Sequence, residues 1–192
     1  MSGINVVACD AVELPIQFLE NWCWEQGAIA TISGHYQTGE TLPAELLEKM
    51  LAAKNFQSGM QMMRQIEFSL FDFSLHMQTD GASPVQAMLD KAREKTAVYP
   101  VPVFNRFQNG FSHIFAGVYV AGYYSYKWAE VLSADAFSRF EEEGIYNVET
   151  GQSFLNNILE MGGSKEPMEL FEAFRGRKPS TDALLKHCGI VT

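Results

Sequence analysis

Apolar positions along the chain recur every three or four residues over long stretches, and two-residue alternation is nearly absent. Leu14, Phe18, Trp22 and Ile29 carry that period first, which predicts one helix from Asp10, as its N-cap, to about Ser33. Tyr36–Pro43 reads as a connection containing Gly39, and Pro43 opens a helix to about Ala53. Phe56, Met60, Met63, Ile66, Leu70, Phe73 and Met77 keep the same spacing and predict a long helix to about Gln78. Its Met-rich stripe reads as core packing rather than a cofactor box. Ser83-Pro84-Val85-Gln86 forms a capping box with Pro at N1, so a helix is expected to about Ala97. Two prolines keep Tyr99–Pro102 extended, and Ala97–Phe104 is the one strand-like candidate. Asn105–Gly110 then leads into a Tyr-rich stretch. A helix follows from about Gly122 to Glu143, stopped by Gly144. Gly151–Met161 is another, ended by Gly162-Gly163. Ser164 caps a short one through Phe174, and Pro179-Ser180 start the last, which ends at Gly189. Seven or eight helices with short loops and no internal repeat, low-complexity segment or linker predict an all-α fold. It is a single multi-helix domain spanning residues 1–192.

Composition narrows the class. A chain of 192 residues can bury roughly 70% of its unfolded surface in one domain. Hydrophobic residues make up 47% and charged residues 19%, a globular balance. Fourteen Lys plus Arg face 23 Asp plus Glu, a net charge of -9, which argues against nucleic acid or an anionic membrane surface as the main partner. The acidic run Glu141–Glu143 reads as a solvated helix face. Cys9, Cys23 and Cys188 are odd in number and lack paired spacing, so they are expected to be reduced thiols in a cytoplasmic protein. The opening MSGINVVACDAVELP lacks the basic and apolar regions of a signal peptide, and no apolar run approaches about 18 residues.

The candidate chemistry gathers in His113–Trp128, HIFAGVYVAGYYSYKW. Tyr119, Tyr123 and Tyr126 stand at i, i+4 and i+7, one face of a helical period. Gly110, Gly117 and Gly122 make the preceding part read as a loop able to bend. A phenol titrates near ~10, so at neutral pH it donates a hydrogen bond without losing its proton. A row of phenols behind a His-bearing loop could therefore grip an anion or a carbonyl; equally, the rings could be core filler with satisfied hydroxyls. Glu13 also has two readings. It could be the N3 acid of a capping box begun by Asp10, or a metal-binding carboxylate with Glu20 two turns behind it. Asp72 and His76, at i and i+4, read as a local ion pair. His35, His76, His113 and His187 form no H-E-x-x-H and no Glu-x-x-His, no Cys pair has zinc spacing, and phosphate-loop, dinucleotide and G-x-S-x-G signatures are missing.

Two blocks, DAVELPIQFLENWCW at Asp10–Trp24 and HIFAGVYVAGYYSYKW at His113–Trp128, resemble the C-terminal catalytic part of the zinc oligopeptidases, the metallopeptidase family of oligopeptidase A and thimet oligopeptidase. SGHYQTGETLP, QIEFSLFDFSLH and the tail from NNILEMGG onward match in order, so the resemblance covers essentially the whole chain. It implies hydrolysis of short peptides by a zinc ion held by the two His of an H-E-x-x-H and by a Glu on the next helix. Glu13 maps onto that third ligand and Glu20 onto a supporting acid. Tyr126 maps onto the phenol that steadies the oxyanion. His113, Tyr119, Tyr123 and Gly117 map onto the loop that closes over the peptide backbone.

This sequence departs from the family pattern in two ways. It contains no H-E-x-x-H, so neither zinc His nor the general-base Glu is present, and no zinc is expected to bind stably to this chain alone. The loop usually reads A-G-G-Y, whereas Ala116-Gly117-Val118-Tyr119 places a stiff Val in it. Two functions remain open. One is a peptidase fragment, inactive until a missing N-terminal peptidase segment is supplied. The other is a non-catalytic helical remnant that binds peptides or self-associates as a homo-oligomer, because bared apolar surface favours association.

Overall fold

The computed structural model describes residues 6–79, 81, 84–117 and 119–191. Among them every regular element is helical and no strand forms, as the period predicts. The elements are α1 (Leu14–Glu20), α2 (Gln26–Ile32), α3 (Ala44–Lys54), α4 (Ser58–His76), α5 (Val85–Thr96), α6 (Phe107–Gly110), α7 (His113–Ala116), α8 (Ser125–Glu143), α9 (Val148–Phe154), α10 (Pro167–Arg175) and α11 (Asp182–His187). They exceed the seven or eight expected because the first predicted helix is divided into α1 and α2 and the single turns α6 and α7 stand in place of loops.

The predicted helix from Asp10 to Ser33 is three pieces. Residues 9–13 are turns, α1 follows, Asn21–Trp24 tightens to a 3₁₀ turn, and Glu25 is extended before α2. Pro15 explains the start: it fits only the first turn of a helix, so α1 cannot begin at Asp10. The break serves the core. Trp22 turns edge-on to Phe18, Phe137 and Phe140, and Phe18 stacks on Phe154 at 3.8 Å between ring centroids.

Helix α8 is the axis of the domain. Ala129, Val131, Leu132, Ala134, Ala136, Phe137 and Phe140 bury nearly its whole circumference, and α1, α10 and α11 pack on it. Gly144, at φ +117, ends it where a side chain would be strained. A second cluster joins α4 and α5 to α6 and α7 through Phe71, Met88, Leu89, Ala92, Phe111 and Ile114. The stripe read as core packing is half-buried within α4, where Leu70 packs against the second cluster, and its two ends lie outside the helix. Phe56 and Met77 are exposed, whereas Glu67, Phe71 and Asp72 are buried. The fully buried positions carry charge, with Arg64 and Arg93 both bonded to Glu67.

Smaller differences concern caps. Glu166 rather than Ser164 precedes α10, and Thr181 precedes α11. Pro84 sits at the N-cap of α5, and the Ser83 half of the proposed box lies outside the described residues. Ala97–Phe104 is irregular rather than a strand.

Candidate active site

The turn before α8 brings the predicted residues together by a route the helical period did not foresee. Tyr119, in irregular backbone, and Tyr123, in a turn, both precede α8, so the three tyrosines do not share one helix face. Their rings meet nevertheless. Tyr119 stacks on Tyr126 at 4.8 Å, and Tyr123 lies 5.2 Å from Tyr126. His113, on the single turn α7, stands 5.0 Å from the Tyr119 ring and 5.9 Å from that of Tyr123. Its Nε2 is 2.8 Å from the Tyr126 hydroxyl. The left-handed residue of the loop is not a glycine but Ala121, at φ +52. Gly117 is exposed and extended, and Val118 lies outside the described residues.

Glu13 joins this group. The Tyr119 hydroxyl donates to Glu13 Oε1. Glu13 stands at the N-cap of α1 without any capping hydrogen bond, so the capping-box reading does not hold. Asp10 is not a cap either; it accepts from the Tyr124 hydroxyl at 3.4 Å. Glu20 is exposed and lines a different cleft with Gln17, Asn21, Trp24 and Lys54.

Burial pushes the phenols of Tyr119, Tyr123, Tyr124 and Tyr126 above their ordinary value. The Glu13 carboxylate adds to the rise at Tyr119. All four therefore keep their protons at neutral pH and remain donors. The cluster can offer the Tyr126 hydroxyl, with His113 as its adjustable partner, while the Tyr119 proton is held by Glu13.

The donors do not complete a zinc site. Among the described residues no group of three His, Cys, Asp or Glu side chains could hold a metal. A catalytic zinc takes three protein ligands, whereas Glu13 is one carboxylate whose Oε1 accepts from Tyr119.

Two supporting residues escaped the sequence reading. Gln65 on α4 accepts the Tyr123 hydroxyl at 3.0 Å. Asp72 does bond His76, at 2.8 Å, but it also accepts the backbone N–H groups of Ala121 and Tyr123. Local spacing reveals the Asp72–His76 bond; the others join positions about fifty to sixty residues apart, and no short motif signals them.

A model of peptidase family M3 matches residues 1–190. The chain is 62% identical over 192 residues to oligopeptidase A of Escherichia coli (strain K12), covering 99% of this chain and 28% of that protein. It is 59% identical to oligopeptidase A of Haemophilus influenzae, covering 100% of this chain and 28% of that protein. It is 49% identical to a probable cytosolic oligopeptidase A of Arabidopsis thaliana, again over 100% of this chain and 28% of that protein. The chain thus spans little more than a quarter of the length of these relatives.

Proposed function

The chain belongs to peptidase family M3, and from that we propose that it forms one wall of the active site of a zinc peptidase that cleaves short peptides in the cytoplasm. The observation that supports this reading is the connected group Glu13–Tyr119–Tyr126–His113. Tyr126 carries the central role. Its hydroxyl donates to the peptide carbonyl oxygen as negative charge develops there, and His113 holds that hydroxyl in direction. Tyr119, Tyr123 and Gly117 meet the peptide backbone as the loop settles over it, which excludes water. Glu13 is one ligand for the metal; Glu20, which faces a different cleft, takes no part at it, and the remaining ligands and the general base lie outside this chain, so the isolated chain is inactive.

A peptide-cleavage assay with added zinc tests this. The isolated chain gives no turnover and binds no stoichiometric zinc by elemental analysis. Supplying a family segment that carries H-E-x-x-H restores cleavage. Tyr126→Phe then lowers kcat by about 10²–10³, the value of one preorganised oxyanion donor, with little change in KM. Restored cleavage that Tyr126→Phe leaves untouched would remove Tyr126 from the chemistry.

A second reading rests on exposed apolar side chains. Phe56, Val103 and Phe104 stand at least 77% exposed, which supports a non-catalytic, self-associating domain. Light scattering separates the two: a homodimer or larger favours association, and a clean monomer counts against it.

A further inference from the structure

We propose that Asp72 is the positioning residue of the phenol cluster, holding the turn at residues 120–123 through both of its carboxylate oxygens. Asp72 lies on α4 and is fully buried. Its Oδ1 accepts the Ala121 N–H at 3.0 Å, and its Oδ2 accepts the Tyr123 N–H at 2.9 Å. Two backbone groups two residues apart are thus fixed to one rigid helix. Between them the chain takes a conformation it would not choose. Ala121 is left-handed, where its Cβ is disfavoured. Gly122 is closely packed: a Cβ there would stand 3.0 Å from Cys9 Sγ and 3.3 Å from the Tyr119 backbone. The turn therefore has little room to shift, and it persists because Asp72 captures both amides.

The consequence passes directly to the rings. Tyr123 is held by α4 twice, at its backbone by Asp72 and at its hydroxyl by Gln65. Its ring packs on Tyr126, and Tyr126 stacks on Tyr119. A turn released from Asp72 would let Tyr119 and Tyr123 move relative to Tyr126, which is anchored in α8. What the phenols are for rests on the function proposed above. Their placement does not, and it can be read on the chain alone without metal or peptide.

Amide hydrogen exchange on the 192-residue chain tests the placement. Asp72→Asn keeps the shape but turns one acceptor into a donor facing an N–H. Exchange at Ala121 and Tyr123 should rise by about tenfold or more, the equivalent of one lost hydrogen bond, while Leu132 and Phe137 in α8 stay protected. Adding Ala121→Gly to Asp72→Asn should slow exchange at Tyr123 relative to Asp72→Asn alone, because the turn no longer has strain to relieve, without restoring full protection, because one acceptor is still missing. Ala121→Gly alone disturbs no core side chain and should slow exchange at Tyr123 a few fold. Unchanged exchange at both amides in Asp72→Asn, an equal rise in α8, or no rescue in the double variant would overturn the proposal. Should Asp72→Asn fail to fold, the single Ala121→Gly variant decides, and exchange at Tyr123 that is unchanged or faster refutes it.

Discussion

Asp72 and Asp135 are both fully buried aspartates on long helices, and each ties down a distant stretch of chain. Their surroundings differ. Asp135 meets two permanent cations: Arg177 bonds both of its oxygens at 2.6 and 2.7 Å, and Arg175 approaches at 3.2 Å. The Ser180 N–H adds a further bond at 2.7 Å. Asp72 meets two backbone amides and the His76 imidazole, which carries charge only when protonated. One site is a charge-balanced staple that joins α8 to the segment leading into α11. The other is built mostly from neutral donors and holds a turn beside the candidate active site. A buried carboxylate can thus serve architecture or placement, and the partners decide which.

Removing the staple should produce the largest effect. Asp135→Ala removes the buried carboxylate shared by Arg175 and Arg177; Arg175 keeps Glu142 and Arg177 is part-exposed, so the cost sits at the low end of that for breaking a buried pair, about 3 kcal/mol. Urea denaturation should show the midpoint falling accordingly. Asp72→Ala should cost less, about 1–3 kcal/mol, because it strands uncharged N–H groups beside a part-exposed loop. If the order is reversed, Asp72 is the stronger structural element and its role as a positioning residue loses its basis.

The same contrast shows what could be read from the sequence. The helices α3, α4, α5 and α8 were legible because three- and four-residue spacing, Pro43 and Gly144 are local signals. The break after Glu20 was not, although Pro15 marked the start of α1 plainly enough. The membership of Tyr119, Tyr123, Tyr126 and His113 in one cluster was legible, but its reason was not. The i, i+4, i+7 spacing suggested a shared helix face, whereas turn backbone and Asp72 bring the rings together. Nothing in the sequence singles out Asp135, and Asp72 reads only as the local partner of His76, because burial and long-range partners leave no trace in neighbouring residues. The α4 stripe was legible only in part for the same reason: apolar spacing cannot disclose that Glu67 and Asp72 are among the fully buried positions.

The smallest expected effect separates the two regions by pH. The phenols of Tyr119, Tyr123, Tyr124 and Tyr126 are raised in the folded chain, chiefly by burial. An unfolded phenol titrates near ~10. Above that pH the folded state binds more protons than the unfolded one, so stability must fall as pH rises. Their contribution is complete below the unfolded value and is lost through the folded ones. Hydrogen bonds to Asp135 push the Arg177 guanidinium above its ordinary value, so it keeps its charge throughout this range and that staple should not loosen. Urea midpoints should therefore be flat with respect to the phenols below about pH 10 and decline above it. Tyr123→Phe should make the decline shallower, since it removes one phenol and leaves the backbone bond to Asp72 intact. An alkaline decline equally steep in Tyr123→Phe would show that the buried phenol at that position carries no share of it.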